Sequence, residues 1–320
     1  MLTETAEGWR TLLIAISVVN VLAWATAAGW LWWRRRAGDT SPALFSLRRT
    51  LLLLSAGYVA GCAWRSWWPV FDIPRVVMSD TFLSSVLVGR SVATVAELCF
   101  AAQCALLLHA ASGGAGGAGG PVAGPPGSTV PPARLARRAA WLLVPMALVA
   151  ETFSWYSVLS TSNLGHVFEE VLWGLGAAVW TAAMLSLWPH SAAPQRRVLG
   201  LCAAIGSAYV TYMFTVDVPT YWARWLADEA VQRPYLELAH GLADAAGRWT
   251  VSTSWHHWRG EVVWMTLYFS VAVWLSIALV HVPLPAPSGT ARAAHGGGLP
   301  ERAAAEAPAA GSRAQPARTP

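Results

Sequence analysis

Three groups of residues in this chain combine side-chain types and spacings that could do chemistry. The first is Arg90, Glu97 and Glu151, each set in an otherwise apolar stretch. Arg90, Thr94, Glu97 and Ala101 recur at three- and four-residue intervals and so share one face of a helix, as do Glu151, Ser154 and Trp155. A charge in hydrocarbon is costly unless it is paired, protonated or wetted. Arg90 is therefore expected to neutralise one of the two carboxylates across a helix interface. At least one of them is expected to be protonated or to face a hydrated cavity. These three are the candidate catalytic residues; the competing reading is a buried ion pair that only fixes helix register.

The second group lies in Asn163-Leu164-Gly165-His166-Val167-Phe168-Glu169-Glu170, where His166, Glu169 and Glu170 stand at i, i+3 and i+4. Imidazole and carboxylates converge on one helical face at that spacing, as metal-binding helices require. The third is His256, His257, Arg259 and Glu261, with His257 and Glu261 one turn apart if a helix begins there. Asp217, followed by Pro219, Tyr221 and Trp222, is expected at the same depth. The resulting ring of His166, Glu169, Glu170, Asp217, His256, His257 and Glu261 could hold a divalent metal or a substrate, with the remaining groups acting as acid or base. None of these spacings is diagnostic, and His and Glu at helix ends beside water need no function. No cofactor is specified by the sequence beyond that metal.

The elements that must position these groups are membrane spans. Hydrophobic residues make up 55% of the 320 and charged residues 12%, too little polar surface to cover a globule in water. Apolar runs of about 20 residues, enough for a helix to cross a bilayer core, fall near Thr11 to Trp33, Thr50 to Trp68, Phe82 to His109, Ala140 to Ser160, Val167 to Trp188, Val198 to Val216 and Val262 to Val282. The fold class is thus an all-α integral membrane protein, a bundle of about seven transmembrane helices over residues 1–282. Many of the twenty Trp close these runs, among them Trp30, Trp32, Trp33, Trp67, Trp68 and Trp188, where the amphipathic indole prefers headgroup depth.

Orientation follows from arginine. Arg34, Arg35, Arg36, Arg48 and Arg49 surround the first connection, Arg134, Arg137 and Arg138 precede the fourth span, and Arg196 and Arg197 precede the sixth. These loops alternate onto one side, so the positive-inside rule puts them in the cytoplasm, the N-terminus outside and the C-terminus cytoplasmic. A plasma membrane, as in a bacterial inner membrane, is the expected location. The basic charge is explained by this asymmetry and calls for no nucleic-acid partner.

Two segments are too rich in Gly, Ala and Pro to bury a core: a connection over 112–132 and a tail over 283–320, read as a mobile loop and a disordered cytoplasmic tail. The external connection over 217–260 mixes apolar and charged residues in the manner of one or two amphipathic helices, broken near Pro234. It is either a lid or a passive surface. The four cysteines lie inside spans and are expected to be free.

Several classes are excluded. The 22 basic residues are all Arg, so neither a retinal Schiff base nor a P-loop is available. No CxxC, HxxxH or HxxHH pattern occurs, and no internal repeat supports an inverted-repeat transporter. Three functions stay open: a membrane-embedded enzyme acting on a lipid or lipid-linked substrate, a proton- or cation-coupled transporter or sensor, and a non-catalytic assembly partner.

Overall fold

The computed structural model describes residues 5–114 and 131–284. In chain order its helices are α1 (Ala6–Arg36), α2 (Pro42–Trp67), α3 (Val86–Gly114), α4 (Pro131–Ser160), α5 (Asn163–Leu187), α6 (Ala193–Tyr212), α7 (Val218–Ala230), α8 (Leu238–Gly247), α9 (Trp255–Trp258), α10 (Val262–Leu267) and α11 (Val273–Leu279). α6 and α7 are joined without a break by a π-helical segment, Met213–Asp217, and α10 and α11 by another, Tyr268–Ala272. The result is seven rods long and apolar enough to cross a membrane, which suggests a multi-pass membrane protein.

Local chemistry sets the helix ends. α1 stops where Gly38 takes a left-handed conformation (φ 81°), and Asp39 N–H then donates to Arg34 O at 3.1 Å. α2 restarts with Ser41 as N-cap, accepting from Leu44 N–H at 3.3 Å, and with Pro42 at its first position. Only Thr161 and Ser162 separate α4 from α5, so the two must run antiparallel. They approach so closely that a Cβ on Gly165 would lie 2.6 Å from the Phe153 carbonyl oxygen.

Two apolar clusters fill the bundle. One, at the arginine-rich helix ends, gathers Leu31, Leu51, Leu108, Met184, Leu187, Leu199 and Val280. The other gathers Trp9, Leu13, Tyr58, Trp258, Met265 and Phe269 at the opposite end. Outward-facing Trp30, Trp32, Trp33, Leu53, Val95, Trp141 and Leu142 leave an apolar exterior of the kind a lipid bilayer covers.

A small cap closes the end away from the arginine clusters. Val70–Phe71 pairs antiparallel with Val76–Val77, which pairs parallel with Thr250–Val251, a sheet that hydrophobic periodicity did not reveal in strands of two residues. Arg75 pins the cap to the bundle: its Nη2 donates to Val158 O at 2.9 Å and its Nε lies 2.6 Å from Asp244 of α8. Burial pulls this guanidinium below its ordinary pKa, and Asp244 opposes the shift. α8 sits against α4 through Gly241, where a Cβ would come within 2.1 Å of Leu159 O.

Several sequence expectations need correction. The sixth span does not end at Val216; it runs on through Asp217 to Ala230 as α7, so the cap connection begins with a continuous rod. The second helix expected there is α8, and the break falls around Pro234 as read. The third and fourth spans extend into the expected 112–132 loop, which leaves 115–130 outside the described residues. Of the expected tail, 285–320 lies outside them too, whereas Leu284 packs against the apolar cluster. The four cysteines are free, as expected.

Candidate functional site

α6 packs along α5, while α11 packs on α1 and α2. A cavity of about 520 Å³ occupies the space between them. It reaches from Asn163 at the start of α5 to Trp180 on the same helix, a rise of about 25 Å at 1.5 Å per residue, so it is a slot rather than a round pocket. Its deep walls are apolar, with Leu143, Met146, Ala147, Gly176, Trp180 and Leu275. Its head, toward the cap, carries Arg90, Glu97, His166, Glu169, Glu170, Asp217 and Glu261, while Glu151 is not on the lining and meets it through Arg90.

Arg90 is the hub. Its Nη2 lies 2.7 Å from Glu97 Oε2, 2.7 Å from Glu151 Oε2 and 3.4 Å from Glu169 Oε1. The expectation that it would satisfy one carboxylate is therefore too small: it gathers three, from α3, α4 and α5. Thr94, one turn after Arg90, donates to Glu151 Oε2 at 2.5 Å and accepts from Trp155 Nε1 at 3.1 Å. Tyr268 Oη donates to the other oxygen of Glu97 at 2.9 Å.

His166 and Glu169 form the pair that their spacing implied, with Nδ1 2.7 Å from Glu169 Oε2. Toward an ionised Glu169, which only accepts, Nδ1 is the nitrogen that carries the hydrogen, and Nε2 is the one turned away from the carboxylate. The ring lies against Tyr221 with centroids 4.9 Å apart, and Nε2 has no hydrogen-bond partner among the described residues. Glu170 and Asp217 line the same head, and neither makes an ion pair among the described residues. Glu261 is there too, but engaged: Arg224 Nη2 donates to its Oε1 at 2.9 Å and Trp264 Nε1 to its Oε2 at 2.5 Å.

His256 and His257 do not belong to this ring. Both are exposed on the one-turn helix α9, which ends at Trp258, and Glu261 is the N-cap of α10, so His257 and Glu261 do not share a helix. His257 Nδ1 instead meets Ser252 Oγ at 2.8 Å.

The ring read as a metal site, His166, Glu169, Glu170, Asp217, His256, His257 and Glu261, does not bring three of its members to ligand range of one another among the described residues. Glu97, Glu151 and Glu169 each bring one oxygen within 4.8 Å of the others, the only such grouping among the described residues. The Arg90 guanidinium fills that space and supplies the positive charge a cation would bring, so these residues do not fit a divalent metal.

Both π-helical segments lie on the cavity wall, contributing Met213 and Asp217 on one side and Tyr268, Val271 and Ala272 on the other. Such segments cluster at functional sites because they re-aim side chains. Sequence reading missed them, and it missed Tyr58, Arg65 and Tyr268 as cavity residues. Tyr268 had a signal, a phenol inside an apolar run; Arg65, beside Trp67 and Trp68, stands where an interface arginine would.

Comparison with protein-family models, with curated proteins and with solved structures found no match.

Proposed function

We propose that the chain is a membrane-embedded enzyme that holds a lipid or lipid-linked substrate in the slot and moves protons to or from its polar group. The observation that carries this reading is the His166–Glu169 pair at the head of a long apolar cavity, with Nε2 turned free. A carboxylate behind an imidazole fixes its tautomer and orientation, which is the arrangement a general base needs. Glu170 and Asp217, unpaired on the same wall, are placed to take or return the second proton. Three carboxylates around one guanidinium add an excess of proton-accepting groups beside that pair. The apolar depth suits the tail of an amphiphile, and the aromatic and charged head suits its polar end.

A bilayer around the apolar exterior, with the arginine clusters in the cytoplasm and the cap outside, completes the proposal. A cysteine placed at Ala243 should then react with an impermeant thiol reagent on intact cells and one placed at Ala192 should not; the reverse labelling would invert the site.

Gly176 supplies the functional test. It lines the slot, and a Cβ there would meet only Met146 Cε, at 3.9 Å, so Gly176→Phe should plug the cavity without touching the charged head. The wild-type protein, extracted with its native lipids, should retain an amphiphile enriched over the bulk membrane, and Gly176→Phe should lose it while melting at the same temperature. Equal retention by both proteins would refute the reading. Absence of a retained amphiphile, together with proton-dependent cation uptake in liposomes, would favour the transporter reading, for which the two π-helical segments beside the cavity argue.

A further inference from the structure

The cavity head contains a second buried arginine that the acid–base reading does not use. Arg65, in the last turn of α2, is 5% exposed and lines the slot. Its guanidinium lies over the rings of Trp264 and Phe269, 5.7 and 5.9 Å from their centroids. Among the described residues no carboxylate comes within ion-pair distance of it, and its Nε is buried without any hydrogen-bond partner. Asp72 lines the same cavity without pairing to it, while Arg90, the other arginine on the lining, is bound to carboxylates. Tyr58, two turns deeper on α2, also faces the cavity with a buried hydroxyl that has no hydrogen-bond partner among the described residues.

A buried charge left unpaired is expensive, and proteins retain one where a ligand completes it. The aromatic faces hold the guanidinium plane while its N–H edge stays available, the geometry that suits a phosphate or carboxylate. Its position at the end of α2 is also the depth at which a lipid presents its anionic group, with the apolar slot continuing below.

We infer that Arg65 anchors a phosphate or carboxylate group of the molecule that occupies the cavity. This assigns the substrate class of the proposed site, an anionic amphiphile, and it rests on that reading. The test uses the full chain in an uncharged maltoside detergent, with native mass spectrometry of added dodecyl phosphate, dodecanol and inorganic phosphate. Dodecyl phosphate should bind one per chain and about tenfold or more tighter than dodecanol, the scale of one charge-assisted hydrogen bond. Arg65→Gln should erase that preference and leave dodecanol binding unchanged, and Arg65→Lys should keep part of it. A preference that survives in Arg65→Gln, or is absent from the wild type, overturns the inference. Binding of inorganic phosphate through Arg65 with neither dodecyl compound bound would leave the anchor standing, assign it a free anion and sink the amphiphile reading instead.

Discussion

Arg90 and Arg65 are buried to the same extent on one cavity, and their surroundings are opposite. Arg90 holds Glu97, Glu151 and Glu169, drawn from three helices, through its Nη2, although its Nε, like that of Arg65, is buried without a hydrogen-bond partner among the described residues, so it works as a knot that sets how α3, α4 and α5 lie against one another. Arg65 touches aromatic faces and no carboxylate among the described residues, so its charge joins no helices through an ion pair. The same side chain at the same depth thus serves architecture in one place and is left open to an incoming molecule in the other. Removing the first should cost folding; removing the second should cost binding.

The largest effect should come from cutting the knot. Arg90→Met leaves three carboxylates buried together without their cation, and loss of one partner from a buried ionic cluster costs about 3–5 kcal/mol. Little folded protein should survive size-exclusion chromatography after mild heating; a normal melting curve would mean that the cluster is not a structural element. Arg65→Gln should shift stability by about 1 kcal/mol at most, because the lost cation–π contact is offset by the removal of an unpaired charge. A loss as large as that of Arg90→Met would erase the contrast between the two arginines.

Glu151→Gln should change stability least. The amide oxygen can still accept from Arg90 and Thr94, two other carboxylates still hold Arg90, and Glu151 Oε1 has no partner to lose. Activity in a cell-based complementation assay should nonetheless disappear, because one proton-accepting group is gone from the cluster. A fully active Glu151→Gln protein would confine the chemistry to His166, Glu169, Glu170 and Asp217.

The juxtaposition of Arg90, Glu97 and Glu151 was legible in the sequence because hydrocarbon leaves a charge few ways to survive, and the helical spacings placed Arg90 and Thr94 on the face that meets Glu151. His166 and Glu169 were legible for the same reason. Glu170, Asp217 and Glu261 were placed on the right wall, although Glu261 turned out to be held by Arg224 and Trp264. His257 failed because its assignment relied on where a helix starts, and α9 ends at Trp258, three residues before α10 is capped by Glu261. Arg65 and the small sheet were not legible. Whether an arginine near a helix end snorkels outward or turns onto two aromatic rings depends on a distant partner, here Trp264 and Phe269, which no local pattern encodes.

The π-helical segments give the molecule two places where its length can change at little cost. A π turn closes i→i+5 rather than i→i+4 and so holds one residue more than an α turn. Removing one residue between Met213 and Asp217 would let the segment close into ordinary α-helix with α7 nearly in phase, leaving Tyr221 beside His166 and Arg224 beside Glu261 while re-aiming only the wall residues of the segment itself. The same loss between Tyr268 and Ala272 would keep Ser276 facing Ser55 and Gln103 but displace Tyr268 from Glu97. A residue lost from the neighbouring α-helix would instead turn everything beyond it by about 100°. Deletions in these two stretches should therefore spare folding and change the site.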